Sequence, residues 1–289
     1  MKADKKTATK PSAKKPAAKT TASKIASPKQ SAARGASATR ASVSKVSADN
    51  VASKKVLAKK SPAKKTPAKK GHSKNPPKVT TKDAAADIAR KLIAQYPDAD
   101  CELDFENDYQ LLTAVILSAQ CTDQQVNKVT ARLFKKFPTA HTLAEADIEV
   151  IKEIVKPTGY FNAKAKNIQS CAQSLVTKYG GAVPQTQEQL MELPGVGRKT
   201  ANVVLGVAHE IPGWTVDTHV QRLSKRLGLT RESDPYKIEL DLQKLYPKNK
   251  FDWTKLSITI IWHGRRCCYA RKPDCAHCPV NDLCPSSEV

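Results

Sequence analysis

The sequence predicts an all-α protein preceded by a basic tail, and three observations predict it. Beyond residue 83 the apolar residues recur at helical spacing, convincing alternating strand patterns are absent, and the first 80 residues contain no Phe, Tyr or Trp. About nine or ten helices fit the folded part, with ends uncertain by a few residues.

The tail comes first. Met1 to Thr80 hold 20 Lys and 2 Arg against 2 Asp, so they carry +20 of the chain's +22, whereas the remaining 209 residues are nearly balanced, 27 basic against 25 acidic. A Lys/Ala/Ser/Pro-rich stretch of this kind cannot bury enough apolar surface to offset the entropy of ordering it, so disorder is expected over 1–80. Its Ser-Pro-Ala-Lys-Lys and Thr-Pro-Ala-Lys-Lys strings are similar to the basic tails of linker-histone-type proteins, which implies non-specific binding to DNA phosphates. A solvated, solubilising extension fits the same composition equally well.

Helices follow in order. Ile88, Leu92 and Tyr96 share one helical face, then Leu112, Val115 and Ala119, then Val126, Val129, Leu133 and Phe137. Ile148, Ile151 and Val155 make the next face, and Ile168, Ala172 and Leu175 another. Ser/Thr-x-x-Glu/Gln patterns at Thr122 to Gln125, Thr142 to Glu145 and Thr186 to Gln189 mark helix starts, and Gly180-Gly181 marks a stop. No apolar run approaches the roughly 18 residues of a membrane span. Met-Lys-Ala-Asp-Lys-Lys has no apolar core of a signal peptide, so a soluble, cytoplasmic protein without a membrane partner is expected.

Leu193-Pro194-Gly195-Val196-Gly197 lies between two helical patterns, Thr186 to Glu192 and Arg198 to Ala208. Two glycines around one apolar residue allow a hairpin too tight for side chains. The turn exposes backbone N–H groups at the positive end of the second helix, an anion site suited to a DNA phosphate. Taken alone, an ordinary αα-hairpin explains the string at least as well.

The cysteines are unevenly placed. Cys101, Cys121 and Cys171 are scattered, whereas Cys267, Cys268, Cys275, Cys278 and Cys284 crowd the C-terminal end, which in a reducing compartment points to metal ligation. Cys268, Cys275, Cys278 and Cys284 are separated by six, two and five residues. That spacing alone suits tetrahedral zinc or an iron–sulfur cube.

Three strings together carry a family resemblance. Leu-Pro-Gly-Val-Gly-Arg-Lys-Thr-Ala-Asn-Val-Val-Leu at 193–205, Val-Asp-Thr-His-Val at 216–220 and Leu117-Ser118-Ala119-Gln120 leading into Thr122-Asp123 resemble the endonuclease III family. The resemblance covers about Ala84 to Cys284. It implies a bifunctional DNA glycosylase and AP lyase of base-excision repair with a 4Fe–4S cluster on Cys268, Cys275, Cys278 and Cys284, Cys267 being a spare thiol. It also implies two helical domains, one over 108–216 containing the helix-hairpin-helix, the other joining 81–107 to 217–289, with the active site between them. The partner is damaged or abasic duplex DNA, the substrate an oxidised pyrimidine, and the protein a nucleoid-associated monomer.

The resemblance makes Lys199 the nucleophile and Asp217 its carboxylate. An ordinary ammonium does not attack, but a helix N-terminus and a pocket closed by an extruded nucleotide both favour the free amine. Asp217 can accept the amine's proton and offset positive charge on the sugar, and it can also cap the helix of Val220, Leu223 and Leu227. Gln120 is implied to fill the gap left by the flipped nucleotide. Tyr160 departs from the aliphatic wedge usual in the family, but an aromatic ring can stack in the same place. Gly195, Gly197 and Arg198 are implied phosphate contacts, and His219 positions the carboxylate or a phosphate unless it is structural. Arg271 and Lys272, with Arg265 and Arg266 before them, make the cysteine loop a basic surface for the DNA backbone. Lys199 speaks against a monofunctional glycosylase of this fold. A non-catalytic DNA-binding protein would leave abasic DNA uncut.

Overall fold

The computed structural model describes residues 80–289, and the expected tail lies outside the described residues. Among these there are eleven α-helices, two short 3-10 helices and no strand. The helices are α1 (Lys82–Gln95), α2 (Asp108–Leu117), α3 (Asp123–Lys136), α4 (Ala140–Ala144), α5 (Ile148–Val155) and α6 (Phe161–Tyr179). They continue as α7 (Gln187–Met191), α8 (Arg198–Ala208), α9 (Thr218–Arg226), α10 (Pro235–Leu245) and α11 (Trp253–Arg266).

Side-chain caps explain most of the helix starts. Thr122 accepts from the amide of Gln125 and Thr186 from that of Gln189, as their sequence patterns imply. The third pattern is corrected. Thr142 lies inside α4 as the reciprocal partner of Thr139, which is the true cap. Gly180 ends α6 in the left-handed region. Ala119 falls beyond the end of α2 because Ser118 already caps it.

Two separate apolar clusters hold the chain together. Residues 109–117 of α2 are all buried, so α2 is apolar all round and forms the axis of the first cluster, against α3, α6 and α8. This cluster runs from Leu103 to Leu205. The second joins Ala85, Ile88 and Leu92 of α1 to Trp214, Val220, Leu223, Ile238 and Ile260, so the first described helix packs with the last ones. Trp214 and Val216 belong to this second cluster, which places the crossover before residue 214.

The clusters meet where α8 approaches α11. A Cβ on Gly206 would collide with the side chain of Thr254, so only glycine allows that approach, and helix propensity near 1 kcal/mol is given up for it. At the opposite end of α8, Arg198 makes a two-pronged ion pair with Glu239 of α10, at 2.6 and 3.0 Å. The Glu239 side chain is only 5% exposed, so the pair is a substantial tie between the clusters.

Candidate active site and metal centre

The hairpin before α8 is built by one strained glycine. Leu193 and Val196 are buried and fix the turn, while Gly195 has φ +80°, and a Cβ there would lie 2.9 Å from the Cβ of Asn167. Gly197 does not share that reason. Its φ is −99° and nothing lies within 4 Å of the place a Cβ would take, which corrects the expectation that both glycines are forced by tightness. Gly197 caps α8 with no side-chain acceptor, so the first-turn amides of this helix remain available.

Only one other described α-helix starts without a side-chain cap, and it is α6, entered through Gly159 and Tyr160. Tyr160 has φ +47° and is 71% exposed; Gln120, between α2 and α3, has φ +52° and is also exposed. Left-handed backbone at an exposed tyrosine and glutamine costs free energy, and such strain persists where the surrounding fold enforces it. Here Lys164, buried and reaching back from α6, donates to the carbonyl of Thr158 at 2.7 Å. Burial lowers the Lys164 ammonium from its ordinary value.

A cleft of about 110 Å³ runs between the two apolar clusters. Lys199 and Val203 of α8 and Val115 of α2 line one wall; Asp217, Ile258 and Ile261 line the other. Lys199 is the second residue of α8 and exposed. Asp217 is half-buried and caps α9, one carboxylate oxygen accepting from the amide of Val220 at 2.8 Å. Among the described hydrogen bonds its other oxygen has no partner. At the cleft's edge Arg265 of α11 joins Asp123 of α3 at 2.8 Å and also pairs with Glu102.

Of the expected DNA contacts, some side chains are engaged elsewhere. The guanidinium of Arg198 is held by Glu239 and stacks on the ring of Tyr236 at 4.7 Å. His219 does not line the cleft: its ring packs on Gly264 of α11 and lies 3.2 Å from Arg222, with burial lowering its basicity against a rise from Asp217. Arg271 and Lys272 are exposed and in no ion pair among the described residues. Arg265 and Arg266 are not free surface charges. Asp123 and Glu102 neutralise Arg265, Glu102 pairs with Arg266 at 2.9 Å, and Arg266 stacks on Trp262 at 3.6 Å, which corrects the expectation of a continuous basic stretch.

After α11 the chain wraps a small cavity lined by Cys268, Cys275, Cys278 and Cys284. Leu223 of α9 and Leu227, which ends it, form an apolar wall. Four thiolates around iron leave net negative charge, so donors to the sulfurs test the fit. They are present: Arg226 Nη1 donates to Cys268 Sγ at 3.2 Å, and His263 Nε2 lies 3.5 Å from Cys278 Sγ. Cys267 also lines the cavity, but its sulfur turns to the carbonyl of Asp274 at 3.4 Å, and burial pushes its thiol up to about 12.

The residues that hold this loop were missed from sequence. Arg222 donates to the carbonyls of Gly264 and Cys268 at 3.0 and 2.9 Å, and Arg226 to those of Tyr269 and Ala270 at 2.7 and 3.0 Å. Their spacing of one helical turn on α9 was the available signal.

Comparison with known proteins agrees with this geometry. Residues 113–248 match the HhH-GPD superfamily base excision DNA repair protein, and residues 268–284, bounded by Cys268 and Cys284, match the iron–sulfur binding domain of endonuclease III. The chain is 53% identical to endonuclease III of Synechocystis over 209 residues, 72% of this chain and 94% of the relative. Against endonuclease III of Escherichia coli the identity is 39%, covering 70% of this chain and 95% of the relative. A solved non-covalent endonuclease III–DNA complex superposes with a TM-score of 0.69 at 42% identity, covering 72% of this chain and 97% of that one. A trapped covalent endonuclease III–DNA intermediate gives 0.69 at 43% identity, with the same coverage. The chain therefore belongs to the endonuclease III family, DNA glycosylases and AP lyases of base-excision repair that carry a 4Fe–4S cluster.

Proposed function

We propose that Lys199 is the nucleophile and Asp217 the carboxylate of this glycosylase and lyase, acting on an oxidised pyrimidine extruded from duplex DNA. One observation carries the reading: Lys199 starts α8, which packs in the first apolar cluster, and Asp217 caps α9, which packs in the second, yet both line the same cleft. The Lys199 amine attacks C1′ of the deoxyribose, the C1′–N bond breaks, and the base leaves with a proton. Asp217 takes the amine's proton through its unpartnered oxygen and offsets charge on the opening sugar. The C1′–O4′ bond then opens, O4′ taking the proton that Asp217 holds, and an imine forms; a C2′ proton is lost to water and the C3′–O bond breaks with the 3′ phosphate leaving, which cuts the strand 3′ to the site. Water then releases Lys199. The covalent DNA intermediate trapped in a related endonuclease III supports this route.

Gln120 and Tyr160, exposed on strained turns, enter the duplex where the nucleotide leaves. Gly195, Gly197 and the amide of Arg198 hold a phosphate, while the Arg198 side chain ties α8 to α10. His219 fixes the start of α9 against α11. Arg271 and Lys272 meet the DNA backbone, with the 4Fe–4S cluster giving their loop its shape. The two apolar clusters act as two domains, in a monomer that the basic tail keeps on chromosomal DNA. Incubation with an abasic duplex and with a thymine-glycol duplex, read on a denaturing gel, tests the activity. Incision of both substrates is expected; an intact abasic strand would refute the lyase assignment, and an intact thymine-glycol strand the lesion class.

A further inference from the structure

His263 is 1% exposed, in α11 next to the cysteine cavity, and the proposed chemistry does not use it. Its two ring nitrogens face different partners. Nε2 lies 3.5 Å from the sulfur of Cys278 and Nδ1 lies 3.1 Å from the hydroxyl of Tyr96. No carboxylate pairs with it among the described residues, and an imidazole with one N–H offers one donor and one acceptor nitrogen. Cys278 as a metal ligand is a thiolate and has no proton to give, so the ring proton belongs on Nε2, facing sulfur. Nδ1 then accepts, and among the described residues the Tyr96 hydroxyl is the one placed to donate to it. The opposite tautomer would aim a lone pair at the thiolate.

Tyr96 is itself held in place. It caps α1 through its backbone amide, its ring meets the edge of Trp262 at 6.5 Å, and α1 reaches the same loop again where Lys91 pairs with Asp282 at 2.7 Å. His263, Cys267 and Cys278 also bring their ligand atoms within 4.8 Å of one another, as a separate metal site would. Cys278 is already one of the four cysteines of the cluster, so that second ion has no place while the cluster is bound.

We propose that Tyr96 and His263 are positioning residues of the iron–sulfur centre: Tyr96 polarises the His263 ring, whose Nε2–H hydrogen-bonds the Cys278 sulfur and raises the cluster's reduction potential. A donor to a ligand sulfur stabilises the more negative, reduced state, so its loss lowers the potential. The proposal rests on the cluster assignment, which iron content checks separately.

The experiment uses the full-length holoprotein and its Tyr96→Phe, His263→Leu and double variants, each assayed for iron and then titrated potentiometrically. His263→Leu should lower the midpoint potential with iron retained. Tyr96→Phe, which removes one oxygen, should lower it less, because the remaining hydrogen bond loses only its polarising partner. In the double variant the Tyr96→Phe shift should vanish. An unchanged potential in iron-loaded His263→Leu would overturn the proposal, as would an undiminished Tyr96→Phe shift in the double variant. Should His263→Leu fail to keep iron, Tyr96→Phe decides: a lowered potential supports the relay and an unchanged one overturns it. Iron-free wild-type protein would instead refute the cluster.

Discussion

Arg226, in the last turn of α9, hydrogen-bonds the sulfur of Cys268 at 3.2 Å, while the first turn of the same helix is capped by Asp217. At 1.5 Å per residue the helix spans about 13 Å, so the iron–sulfur loop and the proposed catalytic carboxylate are the two ends of one short rigid element. Disturbing one end should be felt at the other. Arg226→Ala should lose its visible absorbance in air faster than wild type, with abasic-site cleavage declining in step. Cleavage that persists after the iron is gone would show that Asp217 is held without the cluster.

The Arg198–Glu239 pair yields a stability prediction. Arg198→Ala leaves a carboxylate that is 5% exposed without its partner, and breaking a fully buried pair costs 3–5 kcal/mol as a rule. Arg198 is 36% exposed, so the expected loss is smaller, about 2 kcal/mol. For a folded part of this size that lowers Tm by roughly 4–8 °C in calorimetry. A shift under a degree would mean that water already screens the pair.

The helical periodicity that revealed α3, α5 and α6 was legible because each buries one regular face, as Val126, Val129 and Leu133 do on α3. The hairpin was legible as a string, but the distinct reasons for Gly195 and Gly197 were not, since φ and neighbouring atoms are tertiary facts. Arg265 read as a surface charge because its partners, Glu102 and Asp123, lie more than 140 residues away in sequence. Arg222 and Arg226 were silent for the same reason. Their acceptors are carbonyls of a loop that only the fold brings to α9.

Cys267 shares the cavity with the four proposed ligands but turns its sulfur to the Asp274 carbonyl. Replacing Cys275 or Cys278 with alanine should abolish iron binding, because each removes a ligand lining the cavity. Cys267→Ser should keep about four irons per chain by metal analysis, since its sulfur faces the Asp274 carbonyl. Loss of iron on changing Cys267 alone would make it a ligand in place of Cys268.

Residues 1–80 carry +20 of the chain's +22 charge. Each phosphate neutralised adds about −0.9 to the slope of log K against log salt, so engaging six lysines steepens it by about five units. Deleting residues 1–79 should flatten the slope on undamaged duplex and leave single-turnover cleavage at saturating DNA unchanged. Equal slopes for the two proteins would reduce the tail to a solvated extension.

Borohydride trapping on a damaged duplex tests the central assignment most directly, because it reports the bond between one lysine and the sugar. Wild-type protein should give a covalent DNA adduct whose modified peptide contains Lys199, and Asp217→Asn should form it far more slowly while still binding DNA. Lys199→Gln should bind the same duplex and give no adduct. An adduct of undiminished yield in Lys199→Gln would contradict the assignment.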